Sequence, residues 1–369
     1  MVGNEGAGGP VVRDTLLHLK AQVAEGDPEA RQVLFEEISN LLLNESLQAS
    51  EDEKEIMDEI LGGLIDQIEF SIRKSLAARL AKQEAAPHKL LNYLIRDDIK
   101  IARPILLSGV ALTDADLVGV IDDATRDHRL SVAMRDKVSE FVSDALVGSG
   151  EIQVIVTLLE NPGARLSSEA TNSLVKSSQD HEAIRSPLLA REELNACQAH
   201  TMFWWVSSAL RGNILENFQI DEETLDLAME ASVKEGVQEA IENQQLALML
   251  KTVALVDRRA LSDLLSYLKG SSGAKLNAKF AHLFGISERT AHKILSDNAG
   301  DALAVCCKAI DADRQQFTRL FLLIDYKRYG QNRPIGHLAT VSASYDAISS
   351  TKARKTLCLW EAQELAMAA

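Results

Sequence analysis

The residues best placed for chemistry lie in the stretch FAHLFGISERTAHKILSD, Phe280 to Asp297. A DNA-reading helix-turn-helix needs a small residue where two helices cross, a glycine in the turn, a cap on the second helix, and apolar residues fixing it to the first. Ala281 falls at the crossing, Gly285 in the turn and Ser287 at the cap, with Ile286, Ala291 and Ile294 at the buried positions. The second helix would expose Glu288, Arg289, His292 and Lys293, and Arg289, His292 and Lys293 are then the candidate contacts to base edges or phosphates. Any tight helical hairpin meets the same steric demands, and Glu288 at its tip would face phosphate unfavourably.

Other chemistries find less support. The eight histidines form no cluster with cysteines or acids at metal-ligand spacing. Cys197, Cys306, Cys307 and Cys358 show neither paired ligand spacing nor the density of a disulfide scaffold, which suits a reducing compartment. Cys306 and Cys307 would point ~100° apart on a helix, so the expectation is burial of one as a small apolar residue. There is no G-x-S-x-G elbow, and LKGSSGAK lacks the spacing and the Ser/Thr after lysine of a phosphate-binding loop, so Gly270 to Lys275 reads as an inter-helix loop. Acidic runs such as EDEKE and IDDATRD lack the pattern of a calcium loop. The sequence therefore predicts no catalytic residue, no cofactor and no metal, and a protein that is not an enzyme. Its candidate partner anchors are aromatic: Trp204 and Trp205 beside Phe203, and Trp360 near the C-terminus. Packing inside the protein is the expected use of the adjacent pair.

The charge that would attract a polyanion is distributed against the helix-turn-helix reading. Residues 1–85 hold 8 Lys/Arg against 17 Asp/Glu and residues 86–270 hold 18 against 28, whereas residues 271–369 hold 13 against 9, within a formal net charge of −15. An acidic body repels nucleic acid at long range, and only the C-terminal end is locally basic. Hairpin packing is therefore the expectation for 280–297, with a DNA-binding regulator as the alternative.

These residues need elements to hold them, and the pattern is helical throughout. Aromatic residues make up only 5% of a chain that is 46% apolar, Ala, Leu, Glu and Ile are abundant, and no stretch alternates with a period of two between turn signals. PEARQVLFEEISNLLL opens with a first-turn proline after Asp27, and Ser50 with Glu53 matches a capping box. Met57, Leu61, Leu64, Ile68, Ile72, Leu76 and Leu80 then form one stripe at intervals of three or four, interrupted by Gly62 and Gly63 as a bend, a close crossing or a boundary. From Pro87 onward short helices follow one another, each opened by a polar cap. LIRDDIKIAR and LLENPGAR both run an apolar helix end, a polar turn and an Ala-Arg pair, so Leu94 superposes on Leu158 and Ala102 on Ala164 as a weak internal repeat. The polar tail after Gly330 leads to TKARKTLCLWEAQELAMA, whose basic start suits a docking helix for a partner or for an acidic surface of the same chain. The N-terminus carries no signal peptide and no window is apolar enough to span a membrane, which places the expected protein in the cytoplasm.

The runs LIRDDIKIARPILLSGVALTDADLVGVI, VSDALVGSGEIQVIVTLLENPGARLSSEA, PLLAREEL and WWVSSALR resemble those of a bacterial family of uncharacterised proteins, a domain of unknown function with HEAT-like helical repeats. The resemblance covers roughly residues 86–325. It implies an α-solenoid-like fold and a scaffolding or signalling role, and it brings no catalytic residues. The resulting expectation is an all-α chain of stacked helical hairpins: acidic N-terminal helices in 1–85, a repeat body in 86–270, hairpins with the helix-turn-helix-like stretch in 271–330, and a linker with a terminal helix in 331–369. Its expected partner is another protein, with nucleic acid as the alternative.

Overall fold

The computed structural model describes residues 28–42, 51–83, 86–221, 224–225, 258–270, 276–329, 342 and 344–366. Ser50 of the expected capping box and Ser271 to Lys275 of the glycine-serine loop lie outside them. Every regular element among the described residues is helical, apart from an isolated bridge between Val138 and Ala164. The chain divides into two compact units, 1–174 and 175–369, at a boundary inside the segment expected as one repeat body.

The first unit contains α1 (Pro28–Leu42), α2 (Glu51–Leu64), α3 (Phe70–Leu80), α4 (His88–Leu94), α5 (Ile99–Ser108), α6 (Asp114–Asp123), α7 (Arg126–Ala133), α8 (Glu140–Gly148) and α9 (Ile152–Glu160), and α10 (Ser168–Ser177) crosses the boundary. Alternate helices touch. α3 packs on α5, α5 on α7 and α7 on α9, while α2 packs on α4 and α6 on α8. The odd helices thus form one row and the even helices two pairs, hiding apolar stripes that a single hairpin would leave wet. Leu94, Ile101, Ile105, Val120, Val132, Leu146 and Leu158 are all buried between them.

The long stripe predicted over 57–80 is broken, though not at its glycines. α2 runs through Gly62 and Gly63, a 3-10 turn covers Ile65–Gln67, and α3 begins at Phe70. Gly62 is a close crossing: a Cβ there would meet the Tyr93 ring of α4 at 2.9 Å.

The superposition of Leu94 on Leu158 fails, because it aligns different joints. The first stretch joins α4 to α5, and the second joins α9 to α10, so Ala102 lies within α5 while Ala164 lies in a loop. The recurring unit is instead the joint from an odd to an even helix. Thr113, Ser139 and Ser167 each cap the following helix, accepting from the backbone N–H of Asp116, Val142 and Ala170. Seven residues after each cap stands a fully buried apolar residue, Val120, Leu146 and Leu174.

The joints are tied to one another through orphan carbonyls. Arg135, just after α7, donates from Nη2 to the Gly109 carbonyl at 2.9 Å and from Nη1 to that of Leu106, both at the end of α5. Asn161, just after α9, donates to the carbonyls of Ala133 and Arg135 at 2.8 and 2.7 Å. Between them, Val138 donates to Gly163 O at 3.1 Å and accepts from Arg165 N at 3.0 Å. That bridge brings backbone so close that a Cβ on Gly163 would lie 1.8 Å from the Asp136 carbonyl oxygen.

Gly163→Ala should therefore destabilise the protein by about 2 kcal/mol or more, because a backbone atom cannot step aside as a side chain can. Gly148→Ala, where a Cβ meets nothing within 4 Å, should instead be neutral or stabilising by a few tenths of a kcal/mol up to about 1. Urea denaturation of the two variants checks the contrast.

Candidate functional site

The second unit continues with a 3-10 turn (Glu182–Ile184), α11 (Arg185–Leu189), α12 (Ala196–Met202), α13 (Ser208–Asn217), α14 (Arg258–Gly270), α15 (Leu276–Phe284), α16 (Glu288–Ser296), α17 (Asp301–Ala309), α18 (Arg314–Tyr329) and α19 (Ser350–Ala366). The helix-turn-helix-like stretch is α15 and α16, which pack on each other. Its local geometry follows the sequence. Gly285 takes φ 64°, a left-handed value that favours glycine, and the Ile286 N–H closes the end of α15 on the Ala281 carbonyl at 3.0 Å. Ser287 caps α16 by accepting from Thr290 N at 3.2 Å. Ala281, Ala291 and Ile294 are buried, and Phe280 stacks against Phe284 with ring centroids 4.3 Å apart.

The three candidate nucleic-acid contacts part company. Arg289 and His292 are exposed, with His292 Nδ1 3.3 Å from Asn277 Nδ2. Lys293 is half-buried: its ammonium pairs with Glu364 and stands 5.6 Å from the centroid of the Trp204 ring. Burial lowers its pKa from the ordinary lysine value. Lys293 is thus already engaged on α19.

That helix was expected to dock on a partner or on an acidic surface of the same chain; it packs within its own unit, at the unit's centre. α19 packs on α12, α16 and α17. From Thr356 to Ala362 every residue is buried, including Thr356 and Glu361. An apolar stripe cannot describe such a helix, because neighbours cover it on nearly every side. One of its carboxylates works as a cap. Glu361, 3% exposed, accepts from the Ser287 backbone N–H at 3.0 Å and from the Ser287 hydroxyl at 3.2 Å, holding the N-terminus of α16.

The aromatic anchors are distributed by the same packing. Trp360 is 1% exposed, with centroids 4.7 Å from Phe203 and 4.8 Å from Trp204. It is core, and no face of it remains for a partner. Trp204 and Trp205 follow α12 in a turn, and both are half-buried. Trp205 donates to Ser178 Oγ at 2.9 Å. Cys306 and Cys307 are both fully buried, where one was expected to be, because α17 is enclosed by α16, α18 and α19. Burial drives both thiols far above their ordinary pKa, and it lifts Cys197 to about 11 and Cys358 to about 12. None is a thiolate near neutral pH.

The strongest polar constellation escaped the sequence reading. Arg211 on α13 reaches Asp297 at 2.6 Å and Asp301 at 3.4 Å, with Asp301 1% exposed. Asp301 also accepts from Ser208 Oγ at 2.9 Å and Ser344 Oγ at 2.6 Å, and Asp297 accepts from Ala299 N and Ala302 N. The Arg211 guanidinium lies 5.0 Å from the Phe203 ring centroid. One guanidinium bridges two carboxylates that backbone and serine donors also serve, while its own buried Nε has no partner, so the cluster is a clasp joining α13 to the start of α17. No group of three or more potential metal ligands exists among the described residues.

Fold and site together define an all-α protein of short helices tied end to end by side-chain caps. Residues 101–357 match the family described as "Uncharacterised protein conserved in bacteria (DUF2336)", and the chain belongs to that family. The match runs past the expected limit near 325 and into α19, so the C-terminal helix is partly inside the family's domain. No curated protein and no solved structure matches the chain.

Two outcomes follow. Arg211→Met strands two buried carboxylates and should cost about 3–5 kcal/mol in urea unfolding. His200 on α12 is fully buried, and desolvation, only partly offset by the Phe218 main chain, lowers its pKa to about 4 from 6.5. Between those values the unfolded chain binds a proton that the native state refuses, so stability falls as pH drops from 6.5 toward 4. His200→Leu should flatten that part of a Tm-against-pH curve.

Proposed function

We propose that this protein is a non-enzymatic interaction module of the bacterial cytoplasm, whose HEAT-like stacked hairpins bind another protein in regulation or signalling. The observation that carries this reading is the edge where odd helices hand over to even ones in the first unit. Val110 follows α5, Met134 follows α7 and Phe141 stands in the first turn of α8, and they are 60%, 47% and 62% exposed. The Arg135 and Ser139 side chains tie these joints together, Ser139 Oγ donating to Asp114 at 2.6 Å. Successive apolar side chains on a rigid scaffold are what a protein partner uses as anchors. The buried thiols of Cys306, Cys307 and Cys358 agree with a role other than catalysis.

A second reading keeps the hairpin α15–α16 as a nucleic-acid contact, favoured by the exposure of Arg289 and His292 on the second helix. Against it, Lys293 and the N-terminus of α16 are both held by carboxylates of α19.

Met134→Glu with Phe141→Glu should leave Tm within about 2 °C of wild type, since both side chains are exposed. The same pair should reduce recovery of co-purifying proteins from the host at least tenfold. An unchanged set of co-purifying proteins would remove the edge as the binding surface. Mobility shift of random-sequence duplex at low salt, abolished by Arg289→Glu, would replace the protein-binding reading with the nucleic-acid one.

A further inference from the structure

The row of odd helices opens at its start. α3, α5, α7 and α9 pack on one another in succession, but α1 packs chiefly on α2, and a cleft of about 330 Å³ separates it from α3. The cleft is lined by Phe35, Glu36, Ser39 and Asn40 of α1 and by Ser71, Ile72, Ser75, Leu76 and Arg79 of α3. Elsewhere the helices of this row bury Ile101, Ile105, Val132, Ile155 and Leu158. At this cleft stand buried Ser39 and exposed Ser71 and Ser75, with Ser71 Oγ donating to Glu69 at 3.5 Å.

The lining has a polarity pattern that a merely loose contact would lack. Ser39 is 4% exposed, lines the cleft, and its hydroxyl has no hydrogen-bond partner. A buried hydroxyl left in that state costs about 1–3 kcal/mol unless something satisfies it. At one end, Arg79 Nη1 donates to Asn40 Oδ1 at 2.9 Å, which steadies the guanidinium and leaves its other donors available. One helical turn back from Asn40, Glu36 is exposed and carries no hydrogen bond or ion pair among the described residues. Phe35 and Leu76, both buried, with Ile72 half-buried, supply an apolar floor.

Each end excludes one kind of ligand. A phosphate or dicarboxylate would meet Glu36, and a polyamine would meet Arg79. A molecule with one cation and one anion a few ångströms apart satisfies both, and an apolar substituent satisfies the floor. We propose that this cleft binds a free α-amino acid with an apolar side chain. Arg79 takes the carboxylate through its planar fork, Glu36 takes the ammonium, the serines bridge the two, and Phe35, Ile72 and Leu76 receive the side chain. Small-molecule occupancy at the first helices would add a sensing function to an interaction module, and it stands on the cleft independently of any partner.

Isothermal titration calorimetry of the full chain with L-leucine tests it, alongside N-acetyl-L-leucine, which lacks the ammonium, and L-leucinamide, which lacks the carboxylate. The expected result is saturable binding of L-leucine and at least tenfold weaker binding of both derivatives. Arg79→Met should weaken L-leucine at least tenfold, and Ser75→Leu, which fills the cleft with an apolar side chain, should abolish binding while Tm is kept or raised. Absence of L-leucine binding at millimolar concentration overturns the proposal. So does equal binding of the derivatives, or unchanged binding by Ser75→Leu.

Discussion

Short helices impose one constraint on which everything else here depends: each leaves four N–H and four C=O groups without partners at its ends. α5, α6 and α13 have ten residues each, so their orphaned groups rival their internal bonds in number. Water can serve the exposed ends, but a packed stack buries many of them, and an unserved buried group costs more than a good hydrogen bond returns. This protein answers with long or forked side chains sent from the neighbouring element. Asp58 on α2 accepts from the first N–H groups of α4, at Lys89 and Leu90, 2.9 and 2.8 Å away. Arg129 serves the Ile121 carbonyl at the end of α6, and Arg185 serves Ser178 and Gln179 after α10. The cap of one helix is thus the packing contact of another, and the secondary and tertiary structure are held by the same bonds.

The same logic explains why α19 lies at the centre of the second unit. Its basic first half reaches outward to C-terminal carbonyls, Lys352 to Glu216 and Arg354 to Ala309, while Lys355 reaches the Ile220 carbonyl in the chain just after α13. Its acidic second half reaches the opposite kind of end, Glu361 to the N-terminus of α16, and Glu364 pairs with Lys293. Cations at carbonyl ends and anions at amide ends match the sign of each helix dipole. The charge asymmetry that suggested an electrostatic docking segment is real, and its targets are the helix ends of its own unit.

Legibility in the sequence divides along a physical line. The helical class, the turn at Gly285, the cap at Ser287 and the buried face of Ala291 and Ile294 were legible because each depends on a local period or a local φ. The joints escaped because their partners are distant in sequence: nothing near Asn161 announces that its amide serves Ala133, 28 residues earlier. Arg211 and Asp301 are 90 residues apart, and each by itself reads as an ordinary surface charge. The central place of α19 did leave a trace, since Glu361 and Glu364 interrupt a run that is apolar on every face, and a carboxylate flanked by core on all sides must have a buried donor. The repeat is illegible for a different reason: the two joints of similar composition, near Leu94 and Leu158, are not equivalent in position, whereas the equivalent joints share only a Ser/Thr cap and a buried apolar residue seven positions later, Val120, Leu146 or Leu174.

A stack cemented through its helix ends constrains how the surface can evolve and what it can offer. Residues at the joints are committed to carbonyls and amides, so variation there carries a folding cost, while positions between commitments are free to be apolar and exposed. Val110, Met134 and Phe141 occupy such positions, each within a few residues of a committed neighbour: Gly109, whose carbonyl takes Arg135; Arg135 itself; and the cap Ser139. Their side chains are therefore held on backbone that is fixed at both ends, which lowers the entropy lost when a partner covers them. On the proposed reading, such a surface would gain affinity through preorganisation rather than through area. The framework that makes the helices possible also makes the exposed positions rigid, and this is the physical ground for reading the chain as a binding protein.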